Sequence, residues 1–277
     1  MLKPIKQRVS GFGTMMDGQV EELFNSTTDE YANDQSEVNV GKTHNYIVPF
    51  LKKYDAKKVV DIGCGVGTMV DTIAKEGYES YGVDLVTLSR YWDKLDLDRE
   101  RFFLADPYRF ELPFVDNSVD FVFTLGVIEH VGTSNGHSDR LPNYHEIRKE
   151  WLREVFRIVK PGGRMLIGGP NRNFPIDTAH GPDTRCSALE QRLTNKVGAT
   201  VHKTWGENFL WGYSDIHQYL EGLPYSMQGQ SVEGLVHFSR VPGPFRKLAE
   251  LYVKHLPKSL LATGFNPWMM ALVEKHK

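Results

Sequence analysis

The sequence predicts an α/β protein built on a parallel sheet with helices on both faces, and three observations carry that prediction. From Lys57 onward, short apolar runs of strand length (KVVDIG, YGVDL, RFFLAD, VDFVFTL and RMLIGGP) are separated by helical stretches. None of them alternates cleanly between polar and apolar residues, as expected of strands buried on both faces. A glycine-rich turn, Gly63-Cys64-Gly65-Val66-Gly67, stands where the first run meets the first helix. Such turns let backbone approach a ligand closely at a helix N-terminus.

Taken in order, residues 9–41 carry seven acids and no lysine or arginine, which reads as a solvated helical face or, less favoured, an interaction arm. A helix is expected from Thr43 to Tyr54, because Tyr46, Ile47, Phe50 and Leu51 recur on one face. Between the first two strands, Met69, Val70, Ile73 and Ala74 share a face and Gly77 offers a left-handed C-terminal cap. Before the fifth strand, Asn143 is expected to cap a helix whose Ile147, Trp151, Val155 and Val159 repeat every four residues, ending at a Lys160-Pro161-Gly162-Gly163 turn. Beyond Pro170 the alternation breaks into a glycine- and proline-containing segment with Phe174, Trp205, Phe209, Trp211 and Tyr213, and one short helix is expected near Ser187 to Asn195. Then follow a helix at Ser214 to Leu220, a strand at Tyr225 to Val232, a helix at Phe245 to His255 and a last strand at Trp268 to Glu274.

Composition narrows the class. The 277 residues, 40% hydrophobic and 25% charged, describe a globular chain, and the net charge of -2 argues against a surface built for nucleic acid. Only Cys64 and Cys186 occur, which excludes a disulfide framework or a thiolate-rich zinc site and suggests a reducing, cytoplasmic setting. No signal-peptide pattern and no apolar stretch of membrane-spanning length is found.

The chemistry-bearing residues sit at strand ends. Asp61 precedes the glycine turn; Asp84 closes the second strand, 17 residues after Gly67; Asp106 closes the third, 22 residues later. A carboxylate at the second position can accept hydrogen bonds from ribose hydroxyls, and one at the third can accept from an adenine amino group. A dinucleotide fingerprint would place its third glycine at Thr68 and not at Gly67.

Together, VVDIGCGVG (59–67), YGVDL (81–85), LPFVDNSVDFVF (112–123), LGVIEHV (125–131) and LREVFRIVKPGGRMLI (152–167) resemble the class I S-adenosylmethionine-dependent methyltransferases, in particular the type 11 small-molecule branch. The resemblance implies a Rossmann-like sheet of seven strands with the last antiparallel, and S-adenosylmethionine as cofactor. It also implies roles. Asp61 with Gly63, Cys64, Gly65 and Gly67 would hold the amino-acid end; Asp84, with Leu85, the ribose; Asp106 and Pro107 the adenine; Leu125 and Gly126 would line the site. Residues 1–56 are then expected to be an N-terminal helical cover, 57–170 the cofactor core, 171–213 an aromatic cap inserted after the fifth strand, and 214–277 the completion of the sheet, all within a single domain.

Methyl transfer asks the protein for alignment and, for a hydroxyl acceptor, a base or metal. His130 is the candidate base and Glu129 its orienting or cofactor-holding neighbour, with a purely structural role for the pair an equal alternative. The acceptor site is expected from Asn171, Arg172, His180, His202, Trp205 and Trp211, although the aromatics could equally pack the cap onto the sheet and a surface-loop position is favoured for both His180 and His202. No metal is expected, since these residues form no local ligand motif. The leading reading is O-methylation of a small-molecule, glycan or lipid-linked acceptor. The alternatives are a non-catalytic cofactor-binding scaffold, an N- or C-methyltransferase, and an NAD-dependent oxidoreductase, the last disfavoured by the glycine spacing. Residues 241–277 carry six basic residues against two acidic ones; a core-facing helix is favoured there over peripheral contact with an anionic membrane. Oligomeric state is left open.

Overall fold

The computed structural model describes residues 29–105, 110–134, 139–177, 180, 183, 187–197, 200–204, 207–236 and 243–277. Strands β1 (Lys58–Ile62), β2 (Glu79–Asp84), β3 (Phe102–Leu104), β4 (Val119–Leu125), β5 (Val159–Pro170), β8 (Tyr225–Gly229) and β9 (Trp268–Lys275) form one sheet in the order β3-β2-β1-β4-β5-β9-β8. All neighbours are parallel except that β9 runs antiparallel to both β5 and β8. The order reverses between β1 and β4, and open α/β sheets bind ligands at such a switch point, beyond the carboxyl ends of the strands. A separate two-stranded ribbon, β6 (Ile176–Asp177) with β7 (Thr200–Val201), lies in the segment after β5.

Successive residues of the central strands point to opposite faces, so a continuous apolar run fills two cores. Val60, Ile62, Val122, Met165 and Ile167 pack with Trp151, Leu152, Val155 and Phe156 of helix α4 (Tyr144–Ile158) and with Ile216 and Tyr219 of α6 (Tyr213–Tyr219). Val59, Phe121, Phe123, Leu166, Met270 and Leu272 pack on the other face with Ile47 and Leu51. The first of these cores is continuous up to Ile128, Trp211 and Tyr213, at the carboxyl edge where the site lies.

Four local expectations are corrected. The helix placed at Thr43–Tyr54 begins earlier: α1 (Asp29–Lys42) runs through a π-helical turn (Thr43–Ile47) into α2 (Val48–Lys53). Pro49 explains the widened turn, since proline lacks the N–H that an unbroken α-helix needs there. Asn143 makes no side-chain cap; its carbonyl accepts from Ile147 N–H, and Tyr144 N–H returns to the Leu141 carbonyl. Residues 160–163 are not a free turn but the bulged start of β5, where the register with β4 shifts between Val119 and Phe121. The C-terminal helix α7 (Gly243–Lys254) does not face the core: Phe245, Leu248, Leu251 and Tyr252 are exposed, and Val253 is its one residue in the core cluster. Tyr46, Ile47, Val232 and Leu235 already fill that face of the sheet. Helices α3 (Thr68–Lys75) and α5 (Ala188–Val197) lie close to their expected positions.

Candidate functional site

The loop after β1 is shaped by what it lacks. Gly63 has φ 85° and Gly67 φ 82°, a region that costs an L-residue about 1–2 kcal/mol. A Cβ on Gly63 would stand 2.2 Å from Val127 Cγ2, so this loop and the one after β4 touch. A Cβ on Gly67 would meet Phe102, Leu95 and Trp92 within 3.0 Å. Trp92 Nε1 donates to Gly65 O at 2.8 Å, and Thr68 Oγ1 donates to Ser36 Oγ of α1 at 3.0 Å, tying neighbours onto the loop. Cys64 is buried, and burial pushes its thiol well up, which keeps it un-ionised.

Two acids stand behind this loop at the ends of β1 and β2. Asp84 accepts from the N–H of Gly65 and, at 2.6 Å, from that of Leu85. Burial raises its pKa to about 6, and the two backbone donors work against that rise. Asp61 is buried, and burial and then the nearby Asp84 raise its pKa. The paired carboxylates suit a ligand whose hydroxyl and ammonium groups can donate to them. Asp106 and Pro107 lie outside the described residues.

At the end of β4 the chain turns at Gly126, whose N–H donates to Gly168 O at 2.7 Å, and then carries Glu129 and His130 inward. Glu129 is fully buried, and neither carboxylate oxygen has a hydrogen-bond partner among the described residues. Burial raises its pKa from 4.5 to about 7, with His180 pulling the other way. That rise corresponds to about 3 kcal/mol in favour of the neutral form. Gly169 on β5 makes room for the group: a Cβ there would lie 3.1 Å from Glu129 Oε2 and 2.9 Å from Trp211 Nε1. The spacing gave no hint of this close approach, which depends on a neighbouring strand.

The segment after β5 brings a second imidazole to Glu129. His180 stacks obliquely on His130, with ring centroids 5.2 Å apart, and meets Phe209 edge-on at 5.5 Å. Its Nδ1 lies 3.0 Å from Asp177 Oδ2, and its backbone N–H donates to Asp177 Oδ1 at 3.3 Å. One ligand atom each of Glu129, His130 and His180 lie within 4.8 Å of one another, close enough for a single small group to meet all three. Sequence reading missed Asp177; its only signal was its position three residues before a histidine. It also missed Arg148 of α4, fully buried, which donates to the carbonyls of Val131, Glu129 and Phe209 and so fastens the β4 loop to the later segment.

The remaining acceptor candidates divide. Trp211 is fully buried, and its Nε1, with no hydrogen-bond partner among the described residues, lies by Gly169 near Glu129. His202 is buried against Asn208. Asn171 donates to the carbonyls of Thr263 and Asn266, and Arg172 pairs with Asp215 at 3.0 Å, so both are engaged in holding the segment together. Trp205 lies outside the described residues.

Comparison with known proteins agrees with this geometry. Residues 60–167 match the type 11 methyltransferase domain family. A probable S-adenosylmethionine-dependent methyltransferase of Mycolicibacterium smegmatis is 28% identical over 149 residues, covering 52% of this chain and 49% of that protein. A ubiquinone biosynthesis O-methyltransferase of Aliivibrio fischeri is 27% identical, covering 47% of this chain and 51% of its own length. The chain thus spans about half the length of these curated relatives. Other matches are named for methylation at sterol carbon or at phosphoethanolamine nitrogen. Among solved structures, the methyltransferase domain of bacterial CtHen1-C shares the fold, with TM-score 0.50 and 18% identity over 87% of this chain and 100% of that domain. Residues 60–167 thus form a methyltransferase domain of the type 11 family.

Proposed function

We propose that this chain transfers the methyl group of S-adenosylmethionine to an oxygen of a small-molecule, glycan or lipid-linked acceptor. Bound S-adenosylmethionine supplies a methyl group already activated on a sulfonium. What is left to the protein is to hold the donor, align the acceptor, exclude water and take a proton.

The loop of residues 63–67, where side chains are absent at positive φ, fits the amino-acid end of that donor, with Asp61 behind it. Asp84 would exchange its two backbone donors for ribose hydroxyls, and Leu125 and Gly126 would line the site. The adenine roles of Asp106 and Pro107 belong to the same reading.

The observation that carries the acceptor chemistry is the meeting of Glu129, His130 and His180 beside the loop of Val127, which itself touches Gly63. With Asp177 accepting a hydrogen bond from the Nδ1–H of His180, Nε2 carries the lone pair, the form a general base needs. His180 Nε2 would take the proton of the acceptor hydroxyl, the new O–CH3 bond replacing the S–CH3 bond of the donor, which would leave as S-adenosylhomocysteine. His130, the base expected from the sequence, lies beside His180 and orients the same hydroxyl. An amine acceptor bound neutral would need no such Asp-His pair, which favours oxygen.

Calorimetry of the purified protein with S-adenosylmethionine and S-adenosylhomocysteine tests the donor half: binding of both is expected, and binding of neither, or preference for NAD, overturns it. Turnover insensitive to EDTA is expected. Loss of turnover restored by a divalent cation would replace proton acceptance by metal activation of the hydroxyl.

A further inference from the structure

We infer that α7 and the loop after it dock on an anionic lipid bilayer and present the acceptor site to that surface. The docking stands on its own evidence; the corollary, a membrane-borne acceptor, rests on the methyltransferase reading above.

Among the described residues nine large hydrophobic side chains are exposed, and five of them, Phe245, Leu248, Leu251, Tyr252 and Phe265, belong to this one region. Phe245, Leu248 and Tyr252 follow the i, i+3, i+7 spacing of a single helix face, and Leu251 widens it. Their exposures, 61%, 62%, 40% and 51%, show that the apolar stripe points away from the sheet. Arg246, Lys247, Lys254 and Lys258 are exposed around it, against Glu250 as the one acid between Phe245 and Phe265. Helical spacing puts Lys247 next to Leu251 and Glu250 away from the stripe's centre. An apolar stripe edged by lysine and arginine suits insertion at the headgroup level of an anionic bilayer.

A second copy of the chain is a poorer occupant. A two-fold interface would set the same basic residues against each other, and like charges brought together oppose association.

The patch is continuous with the candidate site. Tyr252 Oη donates to the Phe265 carbonyl, Asn171 Nδ2 donates to the carbonyls of Thr263 and Asn266 at 2.9 and 2.8 Å, and Gly264 packs so closely on Asn173 that a Cβ would lie 2.7 Å from its carbonyl oxygen. Asn171 follows the end of β5 and pairs with Trp211, whose indole packs on Gly169, the residue that Glu129 also packs against. A bilayer against Phe265 is therefore a few residues from the acceptor side of the site.

Co-sedimentation of the full chain with phosphatidylcholine vesicles, with and without phosphatidylglycerol, tests the docking. Binding is expected to the anionic vesicles only, weakening as salt is raised. Leu248→Asp with Leu251→Asp should reduce it about tenfold or more, while donor affinity and thermal stability stay unchanged because both side chains are exposed. Lys247→Glu with Lys254→Glu should act in the same direction and reduce the salt dependence. No binding at low salt, or binding indifferent to both variants, overturns the inference. So does sedimentation as a dimer that the leucine variant dissociates, or vesicle binding that appears only when residues 2–28 are deleted. Because the readout is sedimentation, failure of methyl transfer leaves this result independent.

Discussion

His180 Nδ1 lies 3.0 Å from the carboxylate of Asp177, and this pair delivers a second imidazole to the fully buried Glu129. The ribbon of β6 with β7 fixes Asp177, and Thr200 Oγ1 donates to the His180 carbonyl at 2.8 Å, which together place this imidazole.

On the role proposed for His180, its removal should cost rate more than binding. His180→Ala is expected to lower kcat by about a hundredfold or more, in the range of general-base catalysis, with donor affinity little changed. Asp177→Asn, which keeps the shape but offers an amide to the ring, should lower kcat in the same direction while the fold persists. Initial rates and calorimetry on the same preparations check both, and equal rates in the variants remove His180 from the chemistry.

Asp84 predicts a pH dependence of donor binding. In the proposed ribose contact only the ionised carboxylate would accept from both hydroxyls, so affinity should fall as the pH drops through about 6, by about tenfold for each further unit. Asp84→Asn should weaken binding about 10–100-fold at pH 8 and abolish the slope. The sign for the ligand-free fold is opposite: a carboxyl whose folded pKa is raised above 3.8 contributes less stability as pH rises toward 6. Titrations at pH 5, 6 and 8 separate the two effects.

Gly63→Ala should harm both fold and donor binding. The substitution puts a Cβ 2.2 Å from Val127 Cγ2 at φ 85°, and strain with overpacking is expected to cost about 2–4 kcal/mol. Urea melts measure the loss, and adding Val127→Ala should restore the part due to the clash while leaving the part due to φ.

Arg148→Met should loosen the segment after β5. It deprives three carbonyls, of Val131, Glu129 and Phe209, of their donor, at about 1–3 kcal/mol for each left buried without one. Hydrogen exchange should then rise at residues 207–211 before it rises in β1 or β4.

The sheet was legible because its strands are buried on both faces: Val59 and Val60, or Phe121 and Val122, are apolar neighbours pointing into different cores. The glycine loop after β1 was legible because Gly63 and Gly67, with Asp61 and Asp84 at strand ends, are local features. The Asp177–His180 pair was not, since no periodicity marks a two-residue strand, and the room Gly169 gives Glu129 depends on a contact between β5 and the β4 loop. The amphipathic pattern of α7 was read correctly as a pattern but assigned to the core. Sequence spacing records that a helix has an apolar face, and only the filled surface beneath it shows that this face looks outward.

The most direct measurement is transfer of tritiated methyl from S-adenosylmethionine into fractionated cell extract, followed by identification of the labelled product. The account predicts an O-methylated product that forms with the wild-type chain and is lost with both Asp84→Ala and His180→Ala. Label on nitrogen or carbon would contradict the oxygen assignment, and donor binding without transfer into any fraction would make the chain a cofactor-binding scaffold.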